Sequence, residues 1–311
     1  MKSEPPYLGQ KTYLTEIFGR ETVTEEMSGR TKRVALVMGS GSLKCAAALG
    51  VREALQRADI GIDMVVGCSG GSQYATFIAL GYDAEKVVDL QRNFWTSELT
   101  RRRSVRALLG AILPRLFGFS ESFGLVDDTR LYETLKEMYG DSTFSDTVIP
   151  LYLTATDFTN GEQVVFSKGK LVEVIRASMA IPYIFKPWRV GDRLLVDGYL
   201  SDPLPIGVAI KEGADLILAM GFESSYMSRI DSLFRFSGQI SSIMVNKLLK
   251  ANYSFYTLAH HFELIPLMPQ FDQPIMLFDT DKIPYIIEEG ERAAEEQIPY
   301  IHRLLDASRS K

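Results

Sequence analysis

Two short apolar runs, each closed by a glycine-containing turn and followed by a helical stretch, organise the first third of the chain. The run "RVALVMG" (33–39) is β-branched and continuously apolar after its arginine, which predicts a strand covered on both faces. Ser42 to Ala58 has helical composition with a polar C-terminal half. "IDMVVGC" (62–68) predicts a second buried strand, "SQYATFIALG" a helix stopped at Gly81, and Ala84 to Leu90 another helix. Strand, tight turn and helix, repeated, is a βαβ unit, and it implies a parallel sheet. Further strands are expected at "IPLYLTATDF", "EQVVFSKG", "RLLVDG" and "ADLILAMGF", with a helix at "LVEVIRASMA" before "IPYIF". The last ninety or so residues look mostly helical. The expected organisation is an N-terminal arm (1–32), an α/β unit (33–223) and a helical C-terminal part (224–311) packed on the same domain.

Composition narrows the function classes. The chain has 311 residues, 46% hydrophobic and 23% charged, which suits one large α/β domain with a full core. A net charge of −5 argues against nucleic acid as a partner, since phosphate binding needs a basic surface. Two cysteines, Cys45 and Cys68, are too few for a disulfide framework and fit a reducing compartment. The first twenty residues hold acids and prolines without an apolar core, so no secretory signal is expected. Apolar runs reach about seven residues where a spanning helix needs about 20. The expected location is cytoplasmic, peripheral at the inner face of the membrane if lipid is involved.

Candidate chemistry begins at Gly67-Cys68-Ser69-Gly70-Gly71, a G-x-S-x-G between a strand and a helix. A serine hydroxyl is a weak nucleophile and needs exposure, a base within reach and donors for an oxyanion. A strand-to-helix elbow meets the first need, with Gly67 and Gly71 relieving crowding around the turn. The helix start adds partial positive charge. Three histidines, His260, His261 and His302, follow Ser69, so a Ser-Asp-His order is formally open. The other candidate base is Asp197 in "LLVDGYLSDPLP", at the C-terminal end of a strand where ligands gather in α/β sheets. Against it stands the ordinary turn-forming role of an Asp-Gly pair. The earlier turn, "MGSGSLK", lacks both the P-loop and the full G-x-G-x-x-G pattern, which discounts nucleotide binding. It can instead aim backbone N–H groups at an oxyanion. No metal-ligand spacing is visible, and no cofactor is expected.

Taken in order, "RVALVMGSGSLKCAAALGV", "GCSGG", "YLTATDFTNGEQVVFSKG", "IRASMAIPYIFKPWRVGDRLLVDGYLSDPLP" and "ADLILAMGF" resemble the patatin-like phospholipases. Within that family they are most similar to bacterial proteins related to the esterase domain of neuropathy target esterase. The resemblance runs roughly from Arg33 to Phe222, and "ASMAIPYIFKP" followed by "LLVDG" is its most specific part. It implies a three-layer α/β/α fold with a mostly parallel central sheet. It also implies a Ser69-Asp197 dyad acting through an acyl-enzyme without histidine, on phospholipid or lysophospholipid. The family's oxyanion motif, usually G-G-G-x-[RK]-G, reads Ser40-Gly41-Ser42-Leu43-Lys44-Cys45 here. Gly41, Ser42 and Leu43 keep their N–H groups as the implied donors. A position needing positive φ would strain a serine. The family's Asp-Gly-Gly or Asp-Gly-Ala is Asp197-Gly198-Tyr199.

Two segments bear on lipid access. Between Gln91 and Phe119 lie Arg92, Arg101, Arg102, Arg103, Arg106 and Arg115 against the single acid Glu98, interleaved with Phe94, Trp95 and several leucines. Basic and bulky apolar residues together suit an interfacial helix, so Arg101, Arg102, Arg103 and Arg106 are candidates for a lid or membrane contact; a solvated basic face is the plainer alternative. A second segment, "SLFRFSGQISSIMVNKLLKANYSFYTLAHH", carries apolar residues at helical spacing, for which core packing or a contact in a homo-oligomer is expected. Three readings follow: a serine acyl hydrolase with the dyad; a weakly active or inactive lipid-binding or regulatory adaptor on the same fold; and a hydrolase that uses a histidine.

Overall fold

The computed structural model describes residues 32–96, 104, 121, 123–258 and 263–309. Strand β1 (Val34–Met38) leads through a 3-10 turn at Ser42–Ala46 into helix α1 (Ala47–Arg57). The expected helix over 42–58 therefore opens with a tighter turn. Strand β2 (Met64–Cys68) leads directly into α2 (Gly70–Ala79), followed by α3 (Ala84–Phe94) and α4 (Thr129–Tyr139). Next come β3 (Leu151–Asp157), β4 (Gln163–Phe166), α5 (Leu171–Ser178), β5 (Trp188–Val190) and β6 (Arg193–Asp197). The chain continues through α6 (Ile206–Lys211), β7 (Leu216–Met220), α7 (Leu233–Leu258), β8 (Glu263–Leu267), α8 (Ile283–Glu295) and α9 (Ile298–Arg309).

The sheet runs β5-β6-β3-β2-β1-β7-β8, with β4 on β3. Pairings from β3 to β8 along this order are parallel; β6, β5 and β4 are antiparallel additions. Strand β8 lies in a stretch whose composition predicts helix. It is a five-residue edge strand containing Pro266, and an edge tolerates proline because one side of it is unpaired.

Strands β1, β2 and β7 are buried at every position, because helices cover both faces of the sheet. Alternation along β1 shows it: Val34, Leu36 and Met38 join the core under α1, α2 and α8, while Ala35 and Val37 join the core under α6 and α7. The result is the three-layer α/β/α arrangement.

On the first face α1 and α8 cross with backbone nearly touching backbone. A Cβ on Gly290 would lie 2.0 Å from the Ala47 carbonyl oxygen, and one on Gly50 would lie 1.9 Å from that of Ile287. Only glycine permits this approach. Gly290→Ala is therefore expected to lower stability by about 1–3 kcal/mol in urea unfolding, despite alanine's better helix propensity, because both helices must separate.

Candidate active site

Register in the sheet brings the two candidate catalytic residues together. On β3, Thr154 pairs with Cys68 of β2, and the next residue, Ala155, pairs with Asp197 of β6. Ser69 follows Cys68 immediately, so two residues 128 positions apart converge: Ser69 Oγ donates a hydrogen bond to Asp197 Oδ2 at 2.7 Å. Both side chains are buried.

Ser69 occupies the turn between β2 and α2 with φ 55° and ψ −124°. L-residues rarely adopt this conformation, which costs on the order of 1–3 kcal/mol and is typical of functional turns. Its N–H donates to Ser178 Oγ at 2.9 Å, and its carbonyl accepts the Ser72 hydroxyl at 2.6 Å. A Cβ on Gly71 would meet the Met38 and Gly39 carbonyl oxygens at 2.5 and 2.6 Å; one on Gly67 would meet Ala75 Cβ at 2.7 Å. The expected roles of both glycines thus have a steric basis.

Among the described residues no cation is ion-paired with Asp197. Its N–H donates to the Ala180 carbonyl at 3.0 Å, tying β6 to the "ASMAIP" segment. Its own carbonyl accepts Thr156 Oγ1 at 2.9 Å, and Oδ1 accepts the Tyr199 N–H at 3.1 Å. Burial pushes the carboxyl up to about 7, against the opposing hydrogen bonds from Ser69 and Tyr199. Asp202, to which the sequence analysis gives no role, is a second, partly buried carboxyl on the same loop. It accepts Asn252 Nδ2 at 2.7 Å, the Leu204 N–H at 3.0 Å and Gln163 Nε2 at 3.4 Å, and burial raises it to about 7 as well.

The candidate oxyanion donors sit at the start of the 3-10 turn. Its first internal bond runs from the Lys44 N–H to the Gly41 carbonyl at 3.1 Å, which leaves the N–H groups of Gly41, Ser42 and Leu43 outside the turn's ladder. Gly70, a donor the sequence reading did not name, lies against this turn: its Cβ would fall 2.6 Å from both N and Cα of Ser42. Two helix starts therefore meet beside Ser69. Of the three glycine positions that the family motif loses, the strain falls on Ser42, at φ 50°. Gly41 is extended, but a Cβ there would meet Phe222 Cδ2 at 2.3 Å and Cys45 Sγ at 3.0 Å. Ser42→Gly is expected to stabilise the fold by up to about 1 kcal/mol, read as a raised urea midpoint with unchanged slope.

Cys45 and Cys68 are buried thiols, not disulfide-bonded, and burial pushes both up, out of the nucleophilic range. His302 lies on α9, and no hydrogen bond among the described residues joins it to Ser69 or Asp197; His260 and His261 lie outside the described residues. So do Arg101, Arg102, Arg103 and Arg106. Phe94 and Trp95, read as part of that interfacial segment, are instead core residues packed edge to face at 4.7 Å. Among the described residues no helix is long and apolar enough to cross a membrane.

These features define a three-layer α/β/α protein with a serine on a strand-to-helix elbow beside a buried carboxyl. The chain belongs to the patatin-like phospholipase family, whose model matches residues 36–210. It is 33% identical over 193 residues to an uncharacterized NTE family protein of Mycobacterium tuberculosis, covering 62% of this chain and 50% of that one. It is 27% identical over 187 residues to lysophospholipase NTE1 of Debaryomyces hansenii, covering 60% of this chain and 12% of the yeast protein. The chain thus spans about half the length of the mycobacterial relatives it matches. Among solved structures, VipD from Legionella pneumophila aligns at TM-score 0.47 and 13% identity, over 93% of this chain and 73% of that one. Human group IVD cytosolic phospholipase A2 in complex with methyl γ-linolenyl fluorophosphonate aligns at TM-score 0.47 and 11% identity, over 96% and 61%.

Proposed function

We propose that the protein is a serine acyl hydrolase that cleaves carboxylic esters of phospholipid or lysophospholipid at a membrane surface. The observation that carries this reading is the 2.7 Å hydrogen bond from Oγ of Ser69, on a strained elbow, to the buried carboxyl of Asp197. Ser69 Oγ attacks the ester carbonyl as its proton passes to Asp197 Oδ2. The N–H groups of Gly41, Ser42, Leu43 and Gly70 are the candidates to hold the developing oxyanion. Collapse of the intermediate returns the proton from Asp197 to the leaving alkoxide and leaves an acyl ester on Ser69. Water, deprotonated by Asp197, then attacks that ester, and the proton passes from Asp197 to the departing Ser69 Oγ as the fatty acid is released.

Residues 33–223 would hold the chemistry, with 224–311 packed on them through β8 and α8. Family membership, together with the lysophospholipase name of the yeast relative, supports lipid as substrate. The direct test is intact-mass analysis after brief mixing with a p-nitrophenyl acyl ester. An acyl adduct on wild type that is missing from Ser69→Ala supports the mechanism; release without any dependence on Ser69 sinks it.

A pH profile adds a check. A base with pKa about 7 must be deprotonated to act, so kcat/KM is expected to fall about tenfold per pH unit below 7 and to level above it. A histidine-free profile persists in the triple variant His260→Gln, His261→Gln and His302→Gln. Loss of turnover in that variant would move the base to a histidine.

A further inference from the structure

Helix α7 is 26 residues long, about 39 Å at 1.5 Å per residue. Leu249 and Tyr256, with Tyr253 beside them, pack its inner side onto the core over the sheet, and Val245 is buried as well. Its outer side is unlike an ordinary solvent face. Phe236, Ile240, Ile243 and Met244 are 52%, 43%, 43% and 63% exposed. Their spacing of i, i+4, i+7 and i+8 places them in one stripe, and Lys247, eleven residues beyond Phe236, falls on the same line. Of the two expectations for this segment, core packing or a contact in a homo-oligomer, the first does not account for this half of the helix, because its apolar residues are spread more widely than the sheet covers.

Charge on α7 is one-sided. The helix carries Arg235, Lys247 and Lys250 and has no Asp or Glu, in a chain with 34 basic and 39 acidic residues. Arg235 and Lys250 reach acids outside the helix, Asp231 at 3.5 Å and Glu223 at 3.0 Å. The stretch before α7 runs along it, fixed by the Ser224 N–H to Asn246 Oδ1 and the Met227 N–H to Gln239 Oε1, each 2.7 Å. It adds exposed Tyr226 and Ile230.

The helix is also tied to the candidate site. Ser241, one residue past Ile240, hydrogen-bonds the Tyr199 hydroxyl at 3.2 Å, and the Tyr199 N–H donates to Asp197. Asn252, further along, holds Asp202 of the same loop. The stripe and the catalytic loop are parts of one hydrogen-bonded body.

We infer that the outer face of α7 is a docking surface for an anionic lipid bilayer, seating the Ser69–Asp197 site at the membrane. Its catalytic purpose rests on the hydrolase reading above; the surface itself does not. An apolar stripe on a helix that carries basic residues and no acid of its own is the pattern of an interfacial helix, with the apolar side chains entering the acyl boundary and Lys247 on the stripe meeting headgroup phosphates, while Asp231 and Glu223 beside the helix pair with Arg235 and Lys250. A second copy of the chain fits less well. A two-fold contact on this stripe would bury Lys247 against a helix that has no acid to pair with it.

The test is co-sedimentation of the full chain with vesicles of phosphatidylglycerol and phosphatidylcholine, and with phosphatidylcholine alone. Wild type is expected to bind the anionic vesicles more tightly, with binding weakened by salt. The double variant Ile243→Asp, Met244→Asp is expected to lose about tenfold or more in partition, and Lys247→Glu to lose less and to lose the salt dependence in part. Turnover of a water-soluble short-chain ester should be unchanged in all three, since none of these side chains touches the site. Wild-type binding in the double variant overturns the proposal, as does a wild type that ignores both vesicles. A dimer that the double variant dissociates, with vesicle binding intact, assigns the face to a second copy instead. Vesicle binding with the expected pattern but no ester turnover by wild type retains the surface and removes the hydrolase reading.

Discussion

Asp197→Asn is expected to abolish ester turnover, by roughly 10³-fold or more in kcat, while making the protein more stable than wild type at pH 8. The first half follows from the bond of Ser69 Oγ to Asp197 Oδ2: an amide in that place can take no proton from the serine. The second half follows from the raised carboxyl. In the folded state Asp197 titrates near 7, whereas an unfolded aspartate titrates near 3.9. Between those values the native state binds more protons than the unfolded one, so this group's contribution to stability is intact below about pH 4 and is lost as pH rises through about 7. An asparagine carries no charge to desolvate. The gain over wild type should therefore appear at pH 8 and vanish near pH 4, measured as urea midpoints at the two values. Asp202, also raised to about 7 by desolvation, adds a slope of the same sign, which Asp202→Asn should remove separately. A variant inactive because it is misfolded would lose stability at both pH values. Ser69→Ala should match the loss of turnover and leave the pH slope of stability in place.

Gly70→Ala is expected to lower kcat by about 10²–10³ with a small effect on KM. Its Cβ would stand 2.6 Å from N and Cα of Ser42, both backbone atoms of a turn that cannot yield as a side chain could. The added methyl group must push α2 and the Ser42–Ala46 turn apart, and so separate the N–H groups proposed to converge on the oxyanion. A stability loss of about 1–3 kcal/mol should accompany it. Gly61→Ala is the control, because nothing lies within 4 Å of a Cβ there. Equal kinetics in Gly70→Ala and Gly61→Ala would remove this turn from the oxyanion site. A fall in kcat confined to Gly70→Ala distinguishes a catalytic turn from a merely packed one, since KM reports substrate binding that both variants retain.

Much of the scaffold is legible along the chain because it is local. Buried five-residue runs such as 34–38 and 64–68 have no polar face, and that is enough to predict strands covered on both sides. Gly67 and Gly71 flank a serine between such a strand and a helix, and the turn they permit is a property of five consecutive residues. The Asp-Gly at 197–198, at the end of a strand, marks a carboxyl at the rim of the sheet. Where chain order alone was too weak a guide, the reason is specific. Strand β8 is short, contains Pro266 and pairs along one edge with β7, so it carries little period of its own. Asp202 and Gly70 look like turn chemistry until their partners from distant elements are known.

The amino-acid sequence by itself determined the leading βαβ order, the elbow around Ser69 and the class of fold, since each depends on the period and turn preferences of nearby residues. The tertiary structure alone decided three things. Register on β3 set Ser69 and Asp197 side by side across 128 residues. Burial raised Asp197 to about 7, a consequence chiefly of the distant elements that surround the carboxyl. Packing onto the sheet chose which side of α7 is covered, and so left Phe236, Ile240, Ile243 and Met244 facing outward. A helix shows its apolar positions in its sequence, but which of them meet water depends on how much surface the rest of the fold brings to it.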